Sequence, residues 1–300
     1  MADPLAQVVQ LLHPRAVYAK VISGAGSWAV RYSAFGEPSF CTMLEGECVL
    51  AVDGQQPLAL VAGDFVLMPA TPGFTMSGLA PAVPVAVDPK LAPAPTDEIR
   101  HGSREGPPDM RMLGGYFAFD SPDASLLASL LPTLLHVRDI GRLSVLVQLV
   151  REESLEQKPG RDLVLERLVE LLLIEALRST PGETAPPGLL RGLADPRLSI
   201  ALRHLHGDPA HSWTVADLAR KAALSRSAFF ERFSRAVGLP PMAYLLAWRM
   251  AIAKDLLARN DLGIAEVAER VGYGCASTFS TAFRRCVGQP PGRYAQQQPP

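Results

Sequence analysis

Residues 228–244 read AFFERFSRAVGLPPMAY, and residues 278–294 read TFSTAFRRCVGQPPGRY. At an offset of 50 the two segments agree at 8 of 17 positions. The shared residues are a phenylalanine pair four apart (Phe229 and Phe233, Phe279 and Phe283), one arginine (Arg235, Arg285), Val237-Gly238 and Val287-Gly288, Pro240-Pro241 and Pro290-Pro291, and a closing tyrosine (Tyr244, Tyr294). Upstream, Val215-Ala-Asp-Leu-Ala219 matches Ile264-Ala-Glu-Val-Ala268 at an offset of 49. One extra residue therefore sits in the second copy's turn, around Gly272-Tyr273-Gly274. Identities this ordered mark a duplicated unit rather than a shared composition.

Each copy reads as two helices joined by a short turn. In the first, Thr214 is placed to cap a helix whose apolar face is Val215, Leu218, Ala219 and Ala222. Ser225 caps the next, where Phe229 and Phe233 face inward at i,i+4 spacing. Gly238 ends it at the C′ position, and Pro240-Pro241 opens a further helix. In the second copy Ile264, Val267, Ala268 and Val271 form the first face, and Cys275 takes the slot of Ser225. Met242 to Arg259 reads as one long connecting helix. A helix, short turn and second helix with basic ends is the helix-turn-helix pattern, whose second helix fits the major groove. Two copies on one connector address successive grooves on one DNA face, about 34 Å apart.

On these residues, segment 197–297 resembles the DNA-binding domain of the AraC/XylS family of bacterial transcription regulators, down to the Gly-x-Pro-Pro-x-x-Tyr ending. The resemblance implies base-facing positions at Ser227, Phe230 and Glu231 in the first motif and at Ala276, Ser277 and Thr281 in the second. Glu231 has the chemistry to accept from cytosine N4, and Ser277 or Thr281 to make small polar or methyl contacts. The second reading helix has no large base-reading side chain at its tip, so weak specification is expected there. Arg226, Arg232, Arg235, Arg284 and Arg285 are expected to anchor phosphates, which position a protein without carrying sequence information. The resemblance also implies double-stranded promoter DNA as partner and activation by contact with RNA polymerase, with repression left open.

Charge agrees with that division of labour. The 300-residue chain has a net charge of −1, but residues 197–300 carry 14 Lys+Arg against 7 Asp+Glu, or +7, and residues 1–196 carry −8. A basic third on an acidic body points to a polyanion partner at one end. Four cysteines make no disulfide framework and match no CxxC pattern. Met-Ala-Asp-Pro-Leu at the start lacks a basic stretch leading into an apolar run, and Leu168 to Leu177 is cut by Glu170 and Glu175. A soluble, cytoplasmic, nucleoid-associated protein with no membrane partner is expected.

From about Val17 to Thr75 the pattern is short and β-prone. Trp28-Ala-Val-Arg-Tyr32, Thr42-Met-Leu44, Cys48 to Val52 before an Asp53-Gly54 turn, and two runs around Gly63-Asp64 read as strands of a sandwich or small barrel. Seven prolines between Pro81 and Pro108 exclude regular ladders over 80–110, and Gly115 to Phe119 rejoins the sheet. Helical periodicity follows Asp120, starting at Ser121-Pro122-Asp123, with one stripe at Leu143, Leu146, Val147, Val150 and Leu155 and a second from Leu165 to Ala176. These helices pack on the barrel, and a homodimer interface is the sharper alternative. Thr180 to Gly188 reads as a flexible linker. The expected architecture is α+β and multidomain: a sensor barrel over 1–120, a helical coupling or dimerisation region over 121–180, a linker over 181–196, and an all-α domain with two helix-turn-helix motifs over 197–300.

Gly46 to Val52, Gly63-Asp64 and Pro69 to Gly73 resemble the two sequence boxes of a cupin barrel. Catalytic cupins hold a metal through His-x-His, a Glu and a later His, whereas here no histidine occurs between His13 and His101. Cys41 lies near the first ligand region and Phe74 near the last. No metal and no cofactor are therefore expected. Cys41 and Cys48 offer redox sensing in place of a small-molecule effector, although on one unbroken strand their odd separation puts them on opposite faces. Cys275 and Cys286 are expected to be structural. The reading is a DNA-binding transcription regulator and not an enzyme, controlled by a signal sensed in the barrel. The alternative is a cupin-type metalloenzyme with an accessory helical domain.

Overall fold

A computed structural model describes residues 2–88, 98–121, 124–138, 141–155, 158–179 and 185–297. Contacts divide the chain into two compact units, one of residues 14–119 and 132–180, the other of residues 1–13, 120–131 and 181–300.

The first unit is the barrel. In chain order it holds β1 (Pro14–Ala25), β2 (Ala29–Tyr32), β3 (Ser39–Glu45), β4 (Glu47–Val52), β5 (Leu58–Val61), β6 (Phe65–Met68), β7 (Phe74–Ser77), β8 (Val85–Val87), β9 (Glu98–Gly102), β10 (Met110–Phe119) and β11 (Leu135–Val137). These form a six-stranded sheet ordered β11-β6-β3-β10-β1-β9 and a five-stranded sheet ordered β5-β4-β7-β2-β8. Side chains alternate across each strand, so Cys48, Leu50 and Val52 of β4 point inward and join Met43, Val66 and Met112 in the core between the sheets. The turn that carries the chain from β3 in one sheet to β4 in the other is made at Gly46, whose φ is +70° and where a Cβ would lie 1.9 Å from the carbonyl oxygen of Asp109. Only glycine fits that position.

The strands expected from Trp28 to Met68 are present, and two expectations are corrected. Residues 80–110 were expected to make no ladder, yet β8 pairs with β2 and β9 with β1, both in parallel and both at sheet edges. An edge strand needs only one face of its backbone bonded, which bordering prolines tolerate; Pro89, Pro93 and Pro95 lie outside the described residues. Within the stretch expected to be helical, Leu135–Val137 is a strand antiparallel to β6, with Leu135 and Val137 buried. The two expected helices are α3 (Gly141–Leu155) and α4 (Arg161–Arg178), packed together and against β1. Their inner faces bury Leu143, Val147 and Val150, and Leu165, Val169, Leu172 and Ala176, while Val145, Leu149, Leu163 and Leu171 are exposed.

The second unit is helical: α1 (Pro4–Leu12), α2 (Ala124–Ser129), α5 (Leu189–Ala194), α6 (Leu198–Gly207), α7 (Val215–Lys221), α8 (Arg226–Val237), α9 (Pro241–Arg259), α10 (Ile264–Arg270), α11 (Ala276–Val287) and α12 (Pro291–Gln296). Helix α1 starts on Asp3, whose carboxylate accepts from the Leu5 and Ala6 amides. Its face of Val8, Val9 and Leu12 is fully buried, and it packs on α2, α6 and α9. The compact units thus cut the chain differently from the composition boundaries: residues 1–13 group with the helical unit rather than the barrel. The expected linker is in part a packed helix, α5, with the Gly188 amide donating to Ala236 and the Leu189 amide to Leu130. Buried Leu189 and Leu190 supply the apolar surface that a free linker lacks. Residues 180–184 of the linker, and Pro122-Asp123 of the expected helix start, lie outside the described residues.

Candidate nucleic-acid interface

Both helix pairs form where the repeat places them. Thr214 caps α7 in a reciprocal box with Asp217, and burial of Leu218 and Ala219 seats that helix. Residues 222–225 make the turn, and Ser225 caps α8 by accepting from the Ala228 amide. Phe229 and Phe233 are fully buried, and Gly238 ends the helix at φ +83°. In the second copy the Gly263 amide donates to Glu266 at the start of α10, residues 271–275 make the one-residue-longer turn, and Gly288 ends α11 at φ +85°. Phe279 and Phe283 repeat the buried pair, and Phe283 meets Tyr294 at 5.5 Å as Phe233 meets Tyr244 at 5.8 Å. Each aromatic triad locks its reading helix to a neighbour and leaves the opposite face to solvent.

That outer face carries the residues named above. Ser227, Phe230 and Glu231 are exposed on α8; Ser277 and Thr281 are exposed on α11, with Ala276 half-buried at its tip. Phe230 is 43% exposed, a large apolar ring at a position that packing does not use. The Thr281 hydroxyl donates to the Ser277 carbonyl one turn back. Arg226, Arg235, Arg284 and Arg285 are exposed along the same two helices. Arg232 instead pairs through Nε with Asp195, whose carboxylate also accepts from the Arg197 and Leu198 amides. Its guanidinium serves the start of α6 before it serves any ligand.

One residue outside the motifs ties the two copies together. From α9, Arg249 Nε donates to the Pro209 carbonyl at 2.7 Å and Nη2 to the His211 carbonyl at 2.9 Å, and the guanidinium stands over the Tyr273 ring. The 209–211 loop leads into the first motif, and Tyr273 sits in the turn of the second. Gly272 closes the contact, since a Cβ there would lie 2.5 Å from the Ala210 carbonyl oxygen and 2.7 Å from Arg249 Nη2. The sequence pattern carried no signal for Arg249 beyond its place on the connector.

The cysteines fall out differently from expectation. Cys41 is on β3 and Cys48 on β4, strands of different sheets separated by the Gly46 turn, so the single-strand geometry does not apply. Burial pushes both thiols up, Cys48 to about 12, and nearby Asp64 adds to it. Both are protonated at neutral pH, the opposite of an oxidisable thiolate. Cys275, expected to be structural, is exposed at the start of α11 with its thiol pushed down to about 7. Hydrogen bonds from the Ser277 and Thr278 hydroxyls stabilise its thiolate, and the Thr278 amide adds to them. In the barrel cavity Cys41 and Phe74 stand on the walls beside Lys20 and methionines. A ring, an ammonium and a protonated thiol do not fit a metal.

Comparison with known proteins finds two families along the chain. Residues 3–180 match the cupin family and residues 218–297 match a helix-turn-helix domain family. A Streptomyces lividans protein named as an AraC-like transcription regulator is 37% identical over 97% of this chain and 97% of its own. One from Streptomyces antibioticus, named in the same way, is 36% identical over 99% of this chain and all of its own. Among solved structures, the DNA-binding domain of AdpA in complex with a target DNA is 30% identical over 34% of this chain and 91% of that one, with a TM-score of 0.32.

Proposed function

The chain belongs to the AraC-like transcription regulators that carry an N-terminal cupin sensor domain, and from that membership we propose that α8 and α11 enter successive major grooves of a promoter and read it unequally. The observation that carries this is the outer face of the duplicated motif: Ser227 and Ser277, and Glu231 and Thr281, are exposed at equivalent positions of the two copies while the equivalent phenylalanines are buried. Phe230 and Glu231 read bases from α8. Ser277, Thr281 and the small Ala276 read weakly from α11, with Ser227 alongside the first pair. Arg226, Arg235, Arg284 and Arg285 hold phosphates.

The exposed leucines and valines of α3 and α4 pair two copies of the chain, because Val145, Leu149, Leu163 and Leu171 are apolar surface that its own fold leaves uncovered. An effector held in the barrel favours one placement of the reading helices over another, so its binding and DNA binding are coupled. The output is activation through RNA polymerase, and the protein works in the cytoplasm on the nucleoid. Among the described residues no single helix is long and apolar enough to cross a membrane.

The test is selection of duplexes from a random pool by the full chain. A two-part site is expected, its halves about 10–10.5 base pairs apart, with the half read by α8 more sharply defined. A pool that emerges without sequence preference overturns the reading. Sedimentation of the full chain, with and without a Leu149→Glu, Leu171→Glu pair, checks the dimer.

A further inference from the structure

Between the two sheets of the barrel lies a partly open cavity of about 90 Å³. Its depth is apolar. Met68, Met76 and Met112 line it together with Phe40 and Phe74, and the Phe74 ring stacks on Tyr32 at 4.7 Å. Strand β10 contributes Gly114 and Gly115 to the wall between the side chains of Met112 and Tyr116, and a Cβ at Gly114 would come within 2.9 Å of Ile22 Cδ1.

Its polar groups are few. Lys20 is the one charged residue on the described lining. The Ser39 hydroxyl is held by Thr71 at 2.8 Å, and Tyr32, Tyr116 and Cys41 complete the set. A sugar brings a ring of hydroxyls that so few partners leave unpaired, which is costly in a buried site. An amine meets an ammonium already in place. An apolar body with a single polar group meets neither cost.

Size narrows the class further. A dry apolar cavity of roughly 150 Å³ admits benzene, so this one takes at most a single ring, and only if part of the wall gives way. Three methionines supply that give, since unbranched thioethers repack at low cost and attract aromatic edges. Resting on the reading of the barrel as the sensor, we propose that the effector is a single-ring aromatic compound carrying one polar, non-cationic group. Its ring lies among Met68, Met76 and Met112, and its polar group lies at Lys20 and Ser39.

The test uses the full chain and four probes: benzoate and benzyl alcohol, against benzylamine and glucose, by thermal melting and titration calorimetry. Saturable binding is expected for one or both ring probes of the first pair and for neither of the second. Cys41→Leu, which adds carbons to the cavity wall, is expected to weaken that binding about tenfold or more without removing the cooperative melt. If Cys41→Leu does not fold, Leu50→Phe from the facing sheet carries the same expectation. Absence of binding by both benzoate and benzyl alcohol, equal binding of glucose or benzylamine, or undiminished binding by the filled variants overturns the proposal. Duplex selection on the same preparation separates the two claims. DNA selected without probe binding removes the ligand class and leaves the regulator standing, whereas probe binding without DNA selection does the reverse.

Discussion

His206 Nε2 lies 2.7 Å from the Tyr244 hydroxyl while its Nδ1 lies 3.0 Å from Oε1 of Gln7, which joins α1, α6 and α9 through one buried ring. The amide oxygen of Gln7 only accepts, so Nδ1 donates to it and Nε2 is left to accept the Tyr244 proton. That leaves the imidazole neutral, its face 4.1 Å from the Trp248 ring. A residue seven positions from the start of the chain is thereby part of the helical unit.

Burial pushes the His206 imidazole down to about 3. In the unfolded chain it titrates near 6.5, so between about 6.5 and 3 the unfolded state binds the extra proton. The stabilisation from keeping the ring neutral is complete above that window and is lost as pH falls through it, at about 1.4 kcal/mol per pH unit for one proton. Urea unfolding of His206→Gln, which keeps an acceptor but does not titrate, is expected to show a pH dependence shallower by that slope between pH 6 and 4. An unchanged slope would show that the ring is protonated in the fold.

Arg249→Ala removes the bonds to Pro209 and His211 and the stacking on Tyr273. A stability loss of about 1–3 kcal/mol is expected, together with a loss of affinity for the selected two-part site that exceeds the loss for either half alone. Equal losses on half and whole sites would show that Arg249 does not set the spacing of the reading helices.

Arg285→Ala and Glu231→Ala separate anchoring from reading. The first is expected to weaken binding to all duplexes alike and to lower the salt slope by about 1. The second is expected to change base preference at one position with the salt slope little altered. A shift of base preference in Arg285→Ala reverses the assignment.

Cys275 is expected to be the first thiol alkylated by iodoacetamide, with a rate half-maximal near its thiol value of about 7 and rising above it as the thiolate forms. Cys48, fully buried and pushed up to about 12, is expected to remain unmodified until the chain unfolds. Peptide mapping across a pH series reads both. The adduct sits at the tip of a reading helix, so alkylated protein is expected to lose DNA affinity and Cys275→Ser to keep it.

Gly46→Ala places a Cβ against the Asp109 carbonyl in a left-handed turn. A loss of more than about 2 kcal/mol is expected on denaturation, and a loss within experimental error would mean that the chain turns differently between β3 and β4.

Legibility tracked the range of the interactions. The caps at Thr214 and Ser225, the glycine stops at Gly238 and Gly288, and the paired phenylalanines each depend on residues within a few positions, and all were readable. Helix α1 was missed: Asp3 before Pro4 is a local start signal, but nothing local says which core its apolar face enters. Strand β11 was missed because three residues carry no periodicity, and β8 and β9 because proline bars central strands but not edges. Arg232 was grouped with the phosphate anchors because helical position does not reveal a partner 37 residues away.

By itself the sequence determined that there are two helix-turn-helix copies on one connector, which residues face out from them, and that the positive charge lies with them, because helix formation, capping and turns are settled by neighbours within a turn or two. Only the tertiary structure decided that α1 belongs to the helical unit, that Cys41 and Cys48 sit on different sheets with raised thiols, that Cys275 is the acidic one, and that the barrel encloses an apolar cavity. Those properties depend on burial and on partners up to 242 residues apart, as between His13 and Asp255. A linear pattern shows that a side chain needs to be buried, and the packed fold shows against what.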